Sequence, residues 1–260
     1  MNKKIMKAVI RKKYGGIENL QIVEQEIPKI SPDDILVKVH CTTVNRTDCH
    51  VLAGTPFVFR FFIGLWQPKR EILGTDFVGE IIEVGNSVEN YKKGDRIIGL
   101  NDEGISSQAE FIIVKKNMPI AIVPDHISDI DAVGGLEGGF YAYGFKNGVT
   151  VNKGDKVLVN GATGGIGSAL IQLLVNEGLV ITAVCDTKNI ELIKALGVDK
   201  IIDYKKVDFT KSTDKYSVVF DAVGKSRFKY CKKILKDDGV YLSSELGPGL
   251  ENIFLALLGT

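Results

Sequence analysis

The sequence predicts an α/β protein in two parts, a strand-rich first half followed by a doubly wound parallel sheet. Three observations carry this expectation. Up to about residue 120, apolar runs are short, rich in Ile and Val, and separated by Gly and Pro. Beyond Pro124, strand-like and helix-like apolar segments alternate. Near the head of that alternation a strand runs into a glycine cluster, Val157-Leu-Val-Asn-Gly-Ala-Thr-Gly-Gly-Ile-Gly167, which opens an amphipathic segment.

In the first half, strands are expected over Met6 to Arg11, Asp34 to Val39, Phe77 to Val84, Arg96 to Leu100 and Glu110 to Val114. Gly15-Gly16, Ser31-Pro32, Gly85-Asn86 and Lys93-Gly-Asp95 punctuate them. Irregular all-β structure follows. Between Gly54 and Gly74 lies a segment carrying Phe57, Phe59, Phe61, Phe62 and Trp66 without regular period. It could line a pocket or pack as a loop on the core. In the second half, strands are expected over Lys156 to Asn160, Val180 to Val184, Lys200 to Ile202, Ser217 to Phe220 and Gly239 to Ser243. Helices are expected over Gly165 to Asn176, Asn189 to Leu196 and Ser226 to Leu235. Such alternation means βαβ units. The domains are therefore set at 1–125 and 126–260.

Composition narrows the function classes. The chain has 260 residues, 45% of them hydrophobic, with 33 basic and 32 acidic residues and a net charge of +1. Nothing in that balance argues for nucleic acid or a membrane surface. The early basic residues, Lys3, Lys4, Lys7, Arg11, Lys12 and Lys13, sit among apolar ones and read as a solvated strand face. They interrupt any signal-peptide core. No apolar run approaches a membrane span. The cysteines, Cys41, Cys49, Cys185 and Cys231, form no CxxC pair and suggest no disulfide framework. A cytoplasmic protein is expected.

The glycine cluster carries the chemistry. The spacing Ala162-x-Gly164-x-x-Gly167 is a dinucleotide fingerprint with alanine in first place. Here it follows a strand and opens a helix, the context that gives the motif its meaning. Ala162 is expected to allow the tight turn, Gly164 to let the backbone approach the pyrophosphate, and Gly167 to let helix and strand pack closely. The helix N-terminus offers free N–H groups to phosphate. Gly161, Thr163, Gly165 and Ile166 complete the expected cradle. The next strand ends at Asp186, about twenty residues on, where a carboxylate can accept from the ribose hydroxyls. That prefers NAD to NADP. Lys188 is the counter-signal, since it could pair with a 2′-phosphate. An N-cap role for Asp186 is the alternative.

Four stretches give the chain a family resemblance: Val44-Asn-Arg-Thr-Asp-Cys-His50, Leu73-Gly-Thr-Asp-Phe-Val-Gly-Glu-Ile-Ile-Glu-Val-Gly85, Lys93-Gly-Asp-Arg-Ile-Ile-Gly99 and the fingerprint with its leading Lys153-Gly-Asp-Lys-Val157. Leu196-Gly-Val-Asp-Lys-Ile-Ile-Asp-Tyr204 and Phe220-Asp-Ala-Val-Gly224 extend it. The chain resembles the medium-chain dehydrogenase/reductases of the zinc-independent, quinone-oxidoreductase-like branch. The resemblance implies a GroES-like irregular β-barrel domain before a Rossmann NAD(P)-binding domain. It adds Asn45, Tyr141, Tyr204, Val223 and Gly224 to the residues expected near cofactor. Tyr141 replaces the threonine that many relatives carry.

The same resemblance speaks to metal. The positions where zinc-dependent relatives carry Cys and a Gly-His-Glu motif are Asn45 and Gly74-Thr-Asp76. Neither Asn nor Thr is a usual zinc ligand. Read as extended chain, Asp48 and His50 share a face, but two ligands do not close a tetrahedral site. No metal is expected. Without a Lewis acid, reduction of a quinone, an enone or a related carbonyl by hydride from NAD(P)H is the favoured reaction. Asn45 is the expected donor to the acceptor's oxygen. Asp48 and His50 are the candidates for supplying a proton. The alternatives are a zinc-free alcohol dehydrogenase and a non-catalytic dinucleotide-binding protein. An apolar helix to Leu258 is expected after the last strand. A full six-stranded sheet has one strand more, so the chain reads as shortened and a homodimer through that sheet edge as doubtful.

Overall fold

The computed structural model describes residues 4–102, 104–247 and 251–252. The chain divides into two compact units, Met1–Leu136 and Glu137–Thr260. In the first unit, β1 (Ile5–Arg11) pairs antiparallel with β2 (Leu20–Glu26). A five-stranded antiparallel sheet follows, built from β3 (Asp34–Cys41), β4 (Asp76–Val84), β5 (Arg96–Leu100), β6 (Phe111–Lys115) and β7 (Ile120–Ile122). Its order is β6-β3-β4-β5-β7. Alternate residues of these strands point inward, as the two-residue period demands. Ile35 and Val37, Phe77 and Ile81, Ile97, Ile112 and Val114 thereby form one buried cluster.

Two short helices interrupt this sheet between β3 and β4. They are α1 (Arg46–Ala53) and α2 (Arg60–Ile63). The segment around α2 neither packs wholly inward nor stays regular. Phe57, Phe61, Phe62 and Trp66 are exposed, while Phe59 and Ile63 are half-buried. The helix α3 (Asp129–Asn147) then carries the chain from the first unit into the second. Its first turn is pinned by Asp129, which accepts from Arg96 Nη1 at 2.9 Å and lies 2.9 Å from His40 Nδ1.

The second unit is a five-stranded parallel sheet ordered β10-β9-β8-β11-β12. Its elements run β8 (Lys156–Asn160), α4 (Gly165–Asn176), β9 (Val180–Cys185), α5 (Ile190–Lys194), β10 (Lys200–Asp203), β11 (Tyr216–Asp221), α6 (Phe228–Cys231) and β12 (Leu235–Ser243). Both sheet faces are covered, so the strands read as continuous apolar runs. Val157 and Val159 join Leu170, Ile171 and Leu174 of α4 in one cluster. Leu158, between them in sequence, joins Val219, Cys231 and Ile234 in another. The chain moves outward from β8 through β9 to β10, then returns to the other side of β8 at β11. The order therefore reverses between β8 and β11, and the carboxyl ends of these two strands flank the crevice where such sheets bind ligands.

Several expectations change. Asp48 and His50 lie on a helix and not on extended chain. Two residues apart on a helix is about 200° around its axis, so they do not share a face. The helix expected over Ser226 to Leu235 shrinks to α6 and one 3₁₀ turn, and the last strand starts at Leu235. The apolar helix expected to reach Leu258 falls mostly outside the described residues. No helix among the described residues is long and apolar enough to cross a membrane.

Candidate functional site

The glycine turn sits at the carboxyl end of β8. Gly161 holds φ at +83°, a region that side chains with a Cβ rarely adopt. The turn residue is thus Gly161, not Ala162 as the spacing suggested. Ala162 is fully buried, and its N–H reaches Val184 O at 3.1 Å. A Cβ on Gly167 would stand 2.2 Å from the Gly161 carbonyl oxygen, so only glycine lets α4 start this close to the turn. Gly138 of α3 fits against Gly165 in the same way, with its Cβ position 2.7 Å from Gly165 O. Tyr141 follows Gly138 by three residues and so lies along the same side of α3.

Between these tight contacts lies open backbone. Thr163, Gly164 and Gly165 are exposed, and a Cβ on Gly164 would meet nothing closer than Gly161 O at 3.5 Å. Gly164 caps α4 with extended backbone and no side-chain hydrogen bond. The first N–H groups of α4 therefore point outward without a side-chain acceptor. Bare N–H groups and the positive end of a helix suit a phosphate group. The residues fit a dinucleotide at this turn.

The carboxyl end of β9 presents a charged cluster. Asp186 is 7% exposed and accepts a short hydrogen bond from Asn189 Nδ2. It makes no N-cap bond. Its other oxygen lies 3.7 Å from Lys205 Nζ and 4.0 Å from Lys188 Nζ. Both lysine side chains remain more than half exposed. Tyr204, also exposed, is set beside them by its N–H, which donates to Cys185 O at 3.1 Å. The sequence pointed to Asp186, Lys188 and Tyr204 but missed Lys205. Only the pairing of β10 with β9 brings it there.

Val223 and Gly224 form the loop after β11. Gly224 has φ +60°, and Val223 packs where a Gly161 Cβ would go, with its own Cβ 2.8 Å from that position. The loops after β8 and β11 thus close on each other directly.

The first unit holds a separate polar cluster. Asn45 is the N-cap of α1. Its Oδ1 accepts from Asp48 N at 2.9 Å, and its own N–H donates to Asp48 Oδ2 at 3.2 Å, a reciprocal capping box. Asn45 Nδ2 donates to Thr75 Oγ1 at 2.7 Å. The two positions at which the family resemblance places zinc ligands in zinc-dependent relatives are here bonded to each other. Among the described residues no group of three or more His, Cys, Asp or Glu side chains could hold a metal ion. A metal does not fit these residues.

Asp48 is buried. Its second oxygen accepts from Gly74 N at 3.2 Å. Burial pushes its carboxyl up to about 6 and nearby Asp76 adds to the rise, against the N–H groups of Asn45 and Gly74. Asp76 is held by Thr43 N at 2.8 Å, the Thr43 hydroxyl, and Thr42 Oγ1 at 3.2 Å. His50 is half-buried in the last turn of α1. The folded chain binds the Asp48 proton more tightly than the unfolded chain does. This group therefore makes stability fall as pH rises from its ordinary 3.8 to about 6, and is level above. In denaturant titrations across that window, Asp48→Asn flattens this fall; an unchanged slope contradicts the assignment.

The alcohol dehydrogenase GroES-like domain model matches residues 31–143, and the zinc-binding dehydrogenase model matches residues 165–256. A chloroplast envelope quinone oxidoreductase homolog from Arabidopsis thaliana is 28% identical over 260 residues, spanning 94% of this chain and 76% of that protein. An NADPH-dependent alkenal/one oxidoreductase from the same plant is 30% identical over 249 residues, spanning 90% of this chain and 60% of its own length. The structure of a quinone oxidoreductase from Coxiella burnetii superposes with a TM-score of 0.86 at 27% identity, covering 98% of this chain and 80% of that one.

Proposed function

The chain belongs to the medium-chain dehydrogenase/reductase superfamily, in its quinone-oxidoreductase-like branch, and from that premise we propose that it is an NADPH-dependent, zinc-independent reductase of enones, quinones or related activated carbonyls. This reading is supported by an open glycine turn in the second unit and, in the first, by an Asn45–Thr75 hydrogen bond at the position where zinc-dependent relatives hold metal. When bound, the reduced nicotinamide supplies the hydride.

The chain's own residues do the rest. The N–H groups of Gly165 and Ile166 at the head of α4 receive the pyrophosphate, and Gly167 lets the helix start close enough to present them. Lys188 and Lys205 receive the 2′-phosphate, because two cations face one carboxylate and that carboxylate already holds Asn189. A carboxylate that accepts from the ribose hydroxyls would prefer NAD, but with Asn189 on one oxygen of Asp186 and two lysines facing the other, NADPH is favoured. Asn45 uses one amide hydrogen on Thr75 and keeps the other. In this reading that hydrogen donates to the acceptor's oxygen as charge builds there. Asp48 holds Asn45 in place through the capping box, which leaves it serving Asn45 and not the acceptor. The proton that completes the reduction comes from His50 or from water.

Asn45→Ser keeps an N-cap oxygen and removes the amide donor, so the stability cost is that of the lost bond to Thr75, about 1 kcal/mol. Loss of one preset donor to a developing oxyanion lowers kcat with an enone by about a hundredfold. Steady-state oxidation of NADPH against a panel of quinones and conjugated enones tests the function. Turnover with at least one class supports it, and NADPH binding without turnover of any acceptor removes it.

A further inference from the structure

Asp221 closes β11, and its carboxylate is wholly buried. Four donors converge on it. Asn160 Nδ2, from the end of β8, lies 2.9 Å from Oδ1, and Val223 N lies 3.4 Å from the same oxygen. Ser226 N lies 2.9 Å and Tyr241 OH, from β12, 3.0 Å from Oδ2. Burial and the facing carboxylate push the Tyr241 phenol far up, so it stays a donor. One carboxylate therefore ties together the carboxyl ends of three adjacent strands and both halves of the loop between Asp221 and Ser226.

That loop matters because of where it stands. Val223 fills the space beside Gly161, and Gly224, at φ +60°, would drive a Cβ into Glu245. The fingerprint turn and the loops after β11 and β12 thus have no slack between them. In a sheet of this order the dinucleotide crosses the crevice at the β8/β11 reversal. With the adenosine end over β9, at Asp186 and its lysines, the nicotinamide end falls on the β11 side.

We propose that Asp221 is a positioning residue for the nicotinamide half of the cofactor, acting through Val223 and Gly224; this rests on the dinucleotide reading above. The carboxylate is required because all four partners donate. An asparagine at 221 must turn its NH2 toward the backbone N–H of either Val223 or Ser226, which cannot accept, so that bond is lost and donor faces donor. The loop then relaxes away from Gly161, while Asp186, Lys188 and Lys205 on the far side of β8 stay in place.

The test compares two ligands by titration of the full chain. NADPH carries both halves, and adenosine 2′,5′-bisphosphate carries only the adenosine half. Asp221→Asn weakens NADPH at least about tenfold, the scale of a lost hydrogen bond to a charged group, and leaves the bisphosphate within about twofold. Tyr241→Phe removes one donor and keeps the carboxylate, so it weakens NADPH by a few-fold with the same selectivity, and it decides the matter if Asp221→Asn does not fold. Equal loss on both ligands, or unchanged NADPH affinity in folded variants, overturns the positioning role alone. An unmodified chain that binds neither ligand overturns the dinucleotide reading and this inference with it.

Discussion

Gly167→Ala abolishes NADPH binding and destabilises the second unit together. The added methyl would sit 2.2 Å from the Gly161 carbonyl oxygen and 3.1 Å from Ala162 Cα. Both are backbone, so no side chain can swing aside. Either α4 retreats from β8 or the turn deforms, and in both cases the N–H groups leave the phosphate position. Overpacking of this kind costs about 1–3 kcal/mol, and the loss of a preset anion site takes NADPH affinity down at least about a hundredfold. Gly164→Ala is the informative partner. Its methyl has room in the protein, 3.5 Å from the nearest atom outside its immediate neighbours, and its φ of −73° suits alanine. It should leave thermal stability intact and weaken NADPH by filling the space the pyrophosphate needs. Equal thermal stability of both variants, or full NADPH affinity in Gly167→Ala, contradicts the account.

The second large effect is on cofactor choice. Lys188→Glu with Lys205→Glu replaces two exposed cations beside Asp186 with two anions. A 2′-phosphate placed there loses two charge-assisted contacts and meets three carboxylates. Affinity for NADPH falls by about a hundredfold or more, on the scale of about tenfold for each lost charged contact. Affinity for NADH, which has hydroxyls there, changes by only a few-fold. The discrimination therefore inverts. Raising salt weakens NADPH binding to the unmodified chain more than NADH binding, since the lysine contacts are exposed and screened. Parallel loss of both cofactors in the double variant contradicts the assignment of these lysines, and unchanged NADPH affinity does so more strongly.

Much of this was legible before the structure, for a physical reason that differs from element to element. The run from β8 through the turn into α4 announces itself because a two-residue period gives way to a 3.6-residue period across a glycine cluster. By contrast, α3 is hidden by Gly134, Gly135, Gly138, Gly139 and Gly144, which weaken helical propensity and blur the apolar stripe. Gly138 repays that cost by admitting Gly165. The helix α1 was also missed, although Asn45-x-x-Asp48 is a capping-box pattern close to those that start helices. Lys205 and Asp221 lay outside reach for another reason: their partners are set by strand order and register, which bring Cys185 beside Asp203 and Asn160 beside Asp221. Nothing local encodes that.

The proposed reaction is hydride transfer from NADPH to a conjugated acceptor without metal. NADPH carrying deuterium at the transferable C4 position, incubated with the chain and a conjugated enone in ordinary water containing a chelator, tests it most directly. Hydride transfer places one deuterium on the β-carbon of the saturated product for each NADPH oxidised, with a hydrogen from water on the α-carbon. Product without deuterium, or NADPH bound and never oxidised by any enone or quinone, would contradict it, and the second result would leave a dinucleotide-binding protein without catalysis.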